Sequence, residues 1–354
     1  MKLSAKIRLN SNNEQSKLLL RTLETANECA NWISHEAWER KVFTPFSLQK
    51  LIYHTARERF PLSAQIVVRL LSKVCDAYKL DKKIERRFFK HGAISYDSRI
   101  LSYGDNLVSI WTLDGREPIP YYCGLRQKEL LKHQYGESDL IYHRGKWYLA
   151  ATCDLTDPPL DTIDDFLGVD LGIVQIASDS DGEEFNGSMV NNVRYRHRKL
   201  RTNLQKAESK SAKRHLKKLS GKEARFATNV NHCIAKQIVE KAKRTNRGIA
   251  IETLTDIRTR IRARKPQRTV LHSWAFAQLG AFIKYKAVLA GVPVLEVDPR
   301  NSSRECSKCA HTEKSNRPSQ SKFRCKSCGY EANADYNAAQ NLRSRAIVNW
   351  PIAA

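Results

Sequence analysis

The sequence predicts a multidomain α+β chain: a β-barrel-like unit interrupted by helices, followed by an α/β layered domain with a cysteine-rich insert. Three observations carry this. Apolar residues recur at helical spacing over residues 13–90, and 92–153 is rich in Tyr, Ile, Val and Trp broken by Gly and Asp turns. Beyond residue 165, short apolar runs alternate with helical stretches, the pattern of strands layered with helices.

In chain order, Leu3, Ala5, Ile7 and Leu9 alternate with polar residues and predict a strand. Leu18, Leu19, Leu23, Ala26, Ala30 and Ile33 fall on one face of a first helix; a second is expected over 47–59, and a third after Pro61, where Ile66, Val67, Leu70, Leu71, Val74 and Tyr78 share a face. The segment 92–153 reads as an antiparallel unit, with which the first strand is able to pair. That makes the helical segment an insertion. Residues 154–165 hold two prolines and five aspartates and read as a linker. FLGVD and GIAIE are short apolar runs suited to buried strands, VPVLEV is a third, and VQIASDSDGEEFNG reads as strand, turn, strand. A highly charged helix pair is expected up to about 246, a long helix over 271–290, and a closing helix from near Asp335. There is no internal repeat.

Lys and Arg number 61 against 37 Asp and Glu, a formal charge of +24. A surface so cationic repels itself unless a polyanion shares it, and nucleic acid is the polyanion that binds by releasing counterions. The cations cluster. Arg194, Arg196, Arg198, Lys199, Arg201, Lys213, Arg214, Lys217 and Lys218 lie in a run opposed by Glu208 and Glu223, and Arg258, Arg260, Arg262 and Arg264 form a second group. These are the candidate nucleic-acid contacts. The opening residues carry no apolar run of signal-peptide length, and no stretch approaches a membrane span, so a soluble protein without a membrane partner is expected.

Of nine cysteines, Cys29, Cys75, Cys123, Cys153 and Cys233 are scattered and read as free thiols in a reducing compartment. The other four form two C-x-x-C pairs, Cys306/Cys309 and Cys325/Cys328, fifteen residues apart. Each pair presents two thiolates on one turn, and two such knuckles close a tetrahedron around Zn²⁺. A site closed by four thiolates has no open position for substrate, so the zinc is structural. Gly329 follows the second knuckle but Ala310 follows the first. If that position needs a positive φ, the alanine costs about 1 kcal/mol. His311 reads as a surface side chain.

Three acids stand at element ends. Asp170 closes FLGVD, Glu252 closes GIAIE, and Asp335 opens the last helix. Acids just past buried strands lie at the carboxyl edge of the sheet, where α/β proteins place their sites. Three carboxylates gathered there need cations. Two Mg²⁺ ions about 3.5–4 Å apart would neutralise them and activate water against a phosphodiester.

The segments FLGVDLGIVQIA, IAIETLTDIR, HSWAFAQLGAFIKYKAVLAGVPVLEVDPRNSSRECSKCAH and FRCKSCGYEANADYNAAQNL cover nearly all of 166–342. In that order they resemble the TnpB family, transposon-encoded RNA-guided nucleases related to type V CRISPR effectors. The resemblance implies a RuvC/RNase H-like nuclease domain over 156–299 and 333–349, with a zinc ribbon inserted at 300–332. It implies a wedge-like β-barrel over 1–12 and 91–155 and a helical recognition insert over 13–90. Asp170, Glu252 and Asp335 fall on the family's catalytic, magnesium-binding acids, and the four cysteines on its zinc ligands. Guide RNA as cofactor, double-stranded target DNA as partner, cutting beside a short motif, and a bacterial or archaeal cytoplasm all follow from the resemblance alone. The amino-terminal half matches loosely, through a start such as KIRLNSNNEQ. Two rivals are an RNA-guided DNA-binding repressor, whose expected mark is a substituted catalytic acid, and a transposase proper, which needs a strand-transfer motif that the sequence does not display.

Overall fold

The computed structural model describes residues 1–172, 174–253 and 276–350. The chain falls into two compact units, Met1–Thr156 and Asp157–Ala354.

The first unit is a seven-stranded antiparallel sheet with a helical insertion. Its elements are β1 (Lys2–Leu9), α1 (Asn13–Arg40), α2 (Pro45–Arg59), α3 (Ala64–Leu80), β2 (Ile94–Tyr96), β3 (Leu101–Tyr103), β4 (Leu107–Thr112), β5 (Gly115–Tyr122), α4 (Leu125–Leu131), β6 (Gln134–His143) and β7 (Lys146–Asp154). The strand order is β2-β6-β7-β1-β5-β4-β3. β1 therefore sits mid-sheet, pairing with β7 from Lys2↔Asp154 to Arg8↔Tyr148. β2 and β3 form opposite edges, yet only residues 97–100 separate them. Five Cα steps span at most about 18 Å, whereas a flat seven-stranded sheet is about 29 Å across. The sheet must curl until its edges approach, as expected of a barrel. The insertion starts cleanly: Asn12 and Gln15 form a reciprocal capping box at α1, Pro45 opens α2, and the Ser63 hydroxyl caps α3. The alternating positions Ile7 and Leu9 bury with Leu19, Leu23, Ile66, Leu70, Trp147 and Leu149, so helices and sheet share one core.

The second unit contains β8 (Phe166–Asp170), β9 (Gln175–Asp179), β10 (Glu184–Asn186), α5 (Ser188–Lys206), α6 (Lys210–Leu219), α7 (Lys222–Arg244), β11 (Gly248–Glu252), α8 (Phe276–Ala290), β12 (Val294–Val297), β13 (Lys322–Arg324), β14 (Glu331–Asn333) and α9 (Ala334–Asn349). Five strands form one sheet in the order β10-β9-β8-β11-β12. β8, β11 and β12 run parallel; β9 runs antiparallel to β8, and β10 antiparallel to β9. The first four residues of both β8 and β11 are buried, which is why those strands read as unbroken apolar runs. Leu167, Val169, Ile249 and Ile251 face Ile234 and Ile238 of α7 and Leu279 and Ile283 of α8. Phe166 and Ala250 face Leu342 and Ala346 of α9 on the other side.

Two differences from the sequence reading have local causes. The expected helix pair is three helices, because Ser209 caps a new start at α6 and Gly221, at φ 75°, opens α7 from a left-handed conformation. The expected linker is fastened rather than loose: Leu155 already exchanges backbone hydrogen bonds with Met1. The Asp161 amide donates to the Gly291 carbonyl, Lys243 pairs with Asp161 at 2.7 Å, and Ile163 is buried. The helix expected over 271–290 is described from Phe276 onward. No described helix is long and apolar enough to cross a membrane.

Candidate metal centres and nucleic-acid surface

The parallel register of β8 and β11 pairs Val169 with Ile251. The next residue on each strand is an acid, so Asp170 and Glu252 emerge side by side at the carboxyl edge. Asp335 arrives from a different direction. Helix α9 runs antiparallel to β8, with its first turn at that edge and its later turns at the opposite one. Two features set its position. Gly168 lets the helix backbone close on the strand: a Cβ there would lie 2.0 Å from the Ala339 carbonyl oxygen and 2.8 Å from the Arg343 amide nitrogen. At the far end the Arg343 guanidinium holds Asp165 in a two-pronged bridge of 2.8 and 2.7 Å. The Asn333 side chain caps the helix by accepting from the Asp335 amide at 2.8 Å. The Asp335 carboxylate, in the first turn, accepts from Arg317 at 3.0 Å.

The electrostatics show that the three acids share one neighbourhood. Burial lifts the Asp170 carboxyl to about 8, and the charges of Glu252 and Asp335 push the same way, against the pull of the Arg317 guanidinium. Burial alone raises Glu252 to about 7. Such a site is short of positive charge, and its all-oxygen donor set is the kind that hard divalent ions take. The carboxylates are spaced more widely than the cysteines. Among the described residues, the cysteine sulfurs are the only group of three or more ligand atoms that all lie within 4.8 Å of one another.

Those four are Cys306, Cys309, Cys325 and Cys328. Cys306 and Cys328 have sulfurs 3.6 Å apart and Cys309 and Cys325 3.5 Å apart, far beyond a disulfide bond. A tetrahedron with Zn–S bonds of about 2.3 Å has edges of about 3.8 Å, so the sulfurs fit zinc closely. Each knuckle closes through the same pair of backbone bonds. The Cys306 amide donates to His311 and the Ala310 amide back to Cys306; the Cys325 amide donates to Tyr330 and the Gly329 amide back to Cys325. Both closing residues are left-handed, Ala310 at φ 59° and Gly329 at φ 74°. The alanine therefore does sit where glycine is favoured. His311 leans on Glu313 at 3.3 Å rather than joining the sulfurs.

The ribbon is fastened to the helix that carries Asp335. Asn337 and Asn341, one helical turn apart and both buried, donate to the Glu305 carbonyl at 2.8 Å each. Asn337 also accepts from the Ser307 amide, and Asn341 donates to Ser302. Sequence reasoning missed these asparagines, as it missed Arg317, Gly168 and the Arg343–Asp165 bridge. Polar residues at helical spacing among Ala338, Ala339 and Leu342 were the available signal.

Among the candidate nucleic-acid contacts, Arg196, Arg198, Lys199 and Arg201 are exposed on α5, and Lys213, Arg214, Lys217 and Lys218 on α6. Arg194 differs: it is half-buried and reaches Glu223 of α7 at 3.4 Å, which makes it a packing residue. Arg258, Arg260, Arg262 and Arg264 lie outside the described residues.

A mixed helix-and-sheet chain with a nearly closed barrel, an acid-edged α/β sheet and a four-cysteine ribbon has a counterpart among solved structures. The solved Cas12f1-sgRNA-target DNA complex has a similar fold, with a TM-score of 0.64 and 18% identity over 94% of this chain and 83% of that one. Residues 151–256 match the family model described as "Probable transposase" (OrfB_IS605), and 276–342 the one described as "Cas12f1-like, TNB domain". Among curated proteins, a CRISPR-associated endodeoxyribonuclease Cas12f1 of Sulfoacidibacillus thermotolerans is 32% identical over 233 residues, which is 60% of this chain and 53% of the relative. A TnpB-like protein of Methanocaldococcus jannaschii is 33% identical over 128 residues, covering 36% of this chain and 45% of its own length. The chain spans about half the length of these curated relatives. Over these segments the chain is similar to Cas12f1 and TnpB-like proteins.

Proposed function

We propose that the chain is an RNA-guided, Mg²⁺-dependent DNA endonuclease encoded by a transposable element, with a RuvC/RNase H-like core that hydrolyses phosphodiesters beside a short target-adjacent motif. The observation that carries this reading is the convergence of Asp170, Glu252 and Asp335 from two parallel strands and one helix, in a neighbourhood where burial and mutual repulsion raise the pKa of Asp170. The names of the relatives, endodeoxyribonuclease and TnpB-like, point the same way.

Bound Mg²⁺ would polarise the phosphoryl group and supply a hydroxide-like nucleophile near neutral pH. The chain's own part is positional. Asp170 and Glu252 hold two ligand oxygens on rigid strand ends, and α9 holds the third. Arg317 occupies the carboxylate of Asp335 and supplies the positive charge felt at Asp170. The exposed cations of α5 and α6 would grip phosphates along the nucleic acid. The ribbon, closed by zinc, fixes the start of α9 through Asn337 and Asn341. The barrel and helical insert of the first unit fit the roles of wedge and recognition elements for RNA. Asp170→Ala, Glu252→Ala and Asp335→Ala should each abolish Mg²⁺-dependent cleavage while leaving nucleic-acid binding intact; wild-type cutting by Asp335→Ala would remove the helix-borne acid from the account.

A further inference from the structure

The first unit contains a polar cleft that the catalytic reading does not use. Residues 81–93, between α3 and β2, form neither helix nor strand, yet they are strapped to α1 and α3 by buried polar side chains. Asn31 grips Phe88 at both backbone groups, accepting from its amide at 2.7 Å and donating to its carbonyl at 3.0 Å. Asn27 donates to the Gly92 carbonyl at 2.8 Å and Ser34 to that of Arg86 at 2.6 Å, while Tyr78 accepts from the Arg86 amide at 3.2 Å. Asn27, Ser34 and Tyr78 are fully buried. Core polar groups left unpaired are costly, so this ladder holds the strap in one conformation.

Beside the strap lies a cleft of about 650 Å³. Its floor is a stripe of α1 at helical spacing, Arg21, Glu24, Thr25 and Glu28; Phe88 and Lys90 of the strap line it as well. The chemistry is divided. Arg21 and Lys90 are cations: Arg21 meets Asp114 only in a solvent-exposed pair at 3.7 Å, and the half-buried Glu24 that Lys90 meets at 3.2 Å has a second partner in His91 at 2.9 Å, so a phosphate that takes over Lys90 does not leave Glu24 unpaired. Phe88 offers an aromatic ring. Glu28 is exposed and makes no ion pair with another described residue. A carboxylate is acceptor-only and repels phosphate, so it suits the donor edge of a base.

We infer that this cleft takes one unpaired guanine nucleotide of the bound RNA, its phosphate at Arg21 and Lys90, its base against Phe88, and its adjacent N1 and N2 donors on Glu28. Guanine offers a carboxylate two neighbouring donors, whereas uracil offers one. An open cleft of nucleotide size in a chain of charge +24 fits one residue of a long polyanion better than a free small molecule. The inference rests on the RNA-guided reading.

The test loads the full-length chain with RNA transcribed from the DNA flanking its gene, containing either 6-thioguanosine or 4-thiouridine. The thio group leaves the N1 and N2 edge of guanine intact. After irradiation, adducts are mapped by mass spectrometry, and total RNA retention is measured separately on filters. The expected result is 6-thioguanosine adducts on the peptide Phe88–Lys90, with 4-thiouridine adducts there about tenfold fewer. Glu28→Gln should cut the 6-thioguanosine adducts about tenfold without changing those on residues 188–219. RNA retained with no adduct at Phe88–Lys90, or with uridine adducts equal to guanosine, overturns the cleft and leaves the RNA-guided reading standing. Absence of retained RNA overturns that reading first.

Discussion

Replacing Gly168 with alanine tests how the third acid is positioned. The added methyl would stand 2.0 Å from the Ala339 carbonyl oxygen. Ordinary contact begins near 3.4 Å, so strand and helix must separate by about 1.4 Å. Both colliding groups are backbone, and no side chain is able to rotate away. Overpacking of this kind costs about 1–3 kcal/mol. Helix α9 cannot yield freely, because Arg343 clamps one end to Asp165 and Asn337 and Asn341 clamp the other to the ribbon. The displacement therefore reaches Asp335. A misplacement of about 1 Å at a reacting centre costs about 10²-fold in rate. Gly168→Ala should remain folded, retain its zinc, melt several degrees lower and cut at about one hundredth of the wild-type single-turnover rate. Wild-type cutting together with wild-type stability would refute the close packing of α9 on β8 and the route by which Asp335 reaches Asp170.

Further outcomes follow from the two candidate metal centres. Protein purified without added metal should carry one zinc per chain, and Ala310→Gly, which relieves a left-handed alanine at φ 59°, should raise stability by about 1 kcal/mol in thermal or denaturant melts. No gain would mean that the first knuckle is relaxed as it stands. Without divalent metal, Asp170 and Glu252 titrate near 8 and 7, above the ordinary carboxylate range, so the folded state holds their protons more tightly than the unfolded state. That contribution to stability is complete at acid pH and is lost as pH rises through 7 to 8. Mg²⁺ must displace the same protons, so its stabilising effect in melts should grow between pH 6 and pH 8.5, and calorimetry in buffers of different ionisation enthalpy should detect proton release near pH 7. A Mg²⁺ effect independent of pH would contradict the placement of these acids.

The parts of the fold that were legible in the sequence are those where one residue type meets one physical need. Two C-x-x-C pairs read directly as a metal knuckle because thiolates so spaced have few other uses. The left-handed φ at Ala310 was foreseeable from the glycine in the equivalent place of the second knuckle. FLGVD and GIAIE were legible because strands covered on both faces lose the polar alternation of surface strands. What escaped was pairwise. Gly168 matters only because Ala339 approaches it, and Asn337 only because the Glu305 carbonyl points at it; neither partner is near in sequence. Arg194 looked like one more cation in a basic run, but Glu223 of α7 takes it into the packing. The strap at 81–93 carries no periodic signal at all, since side chains of other elements satisfy its backbone.

The most direct measurement is a guide-exchange experiment. The chain is expressed with the DNA that flanks its gene, the ribonucleoprotein is purified, and double-stranded DNA is cut in Mg²⁺ with two RNAs differing only in the guide end. The account predicts that the cut moves with the guide, that Asp335→Ala particles bind the same targets without cutting, and that ribonuclease treatment before assembly abolishes cleavage. Cutting at fixed sites whatever the guide, or undiminished by ribonuclease, would contradict it.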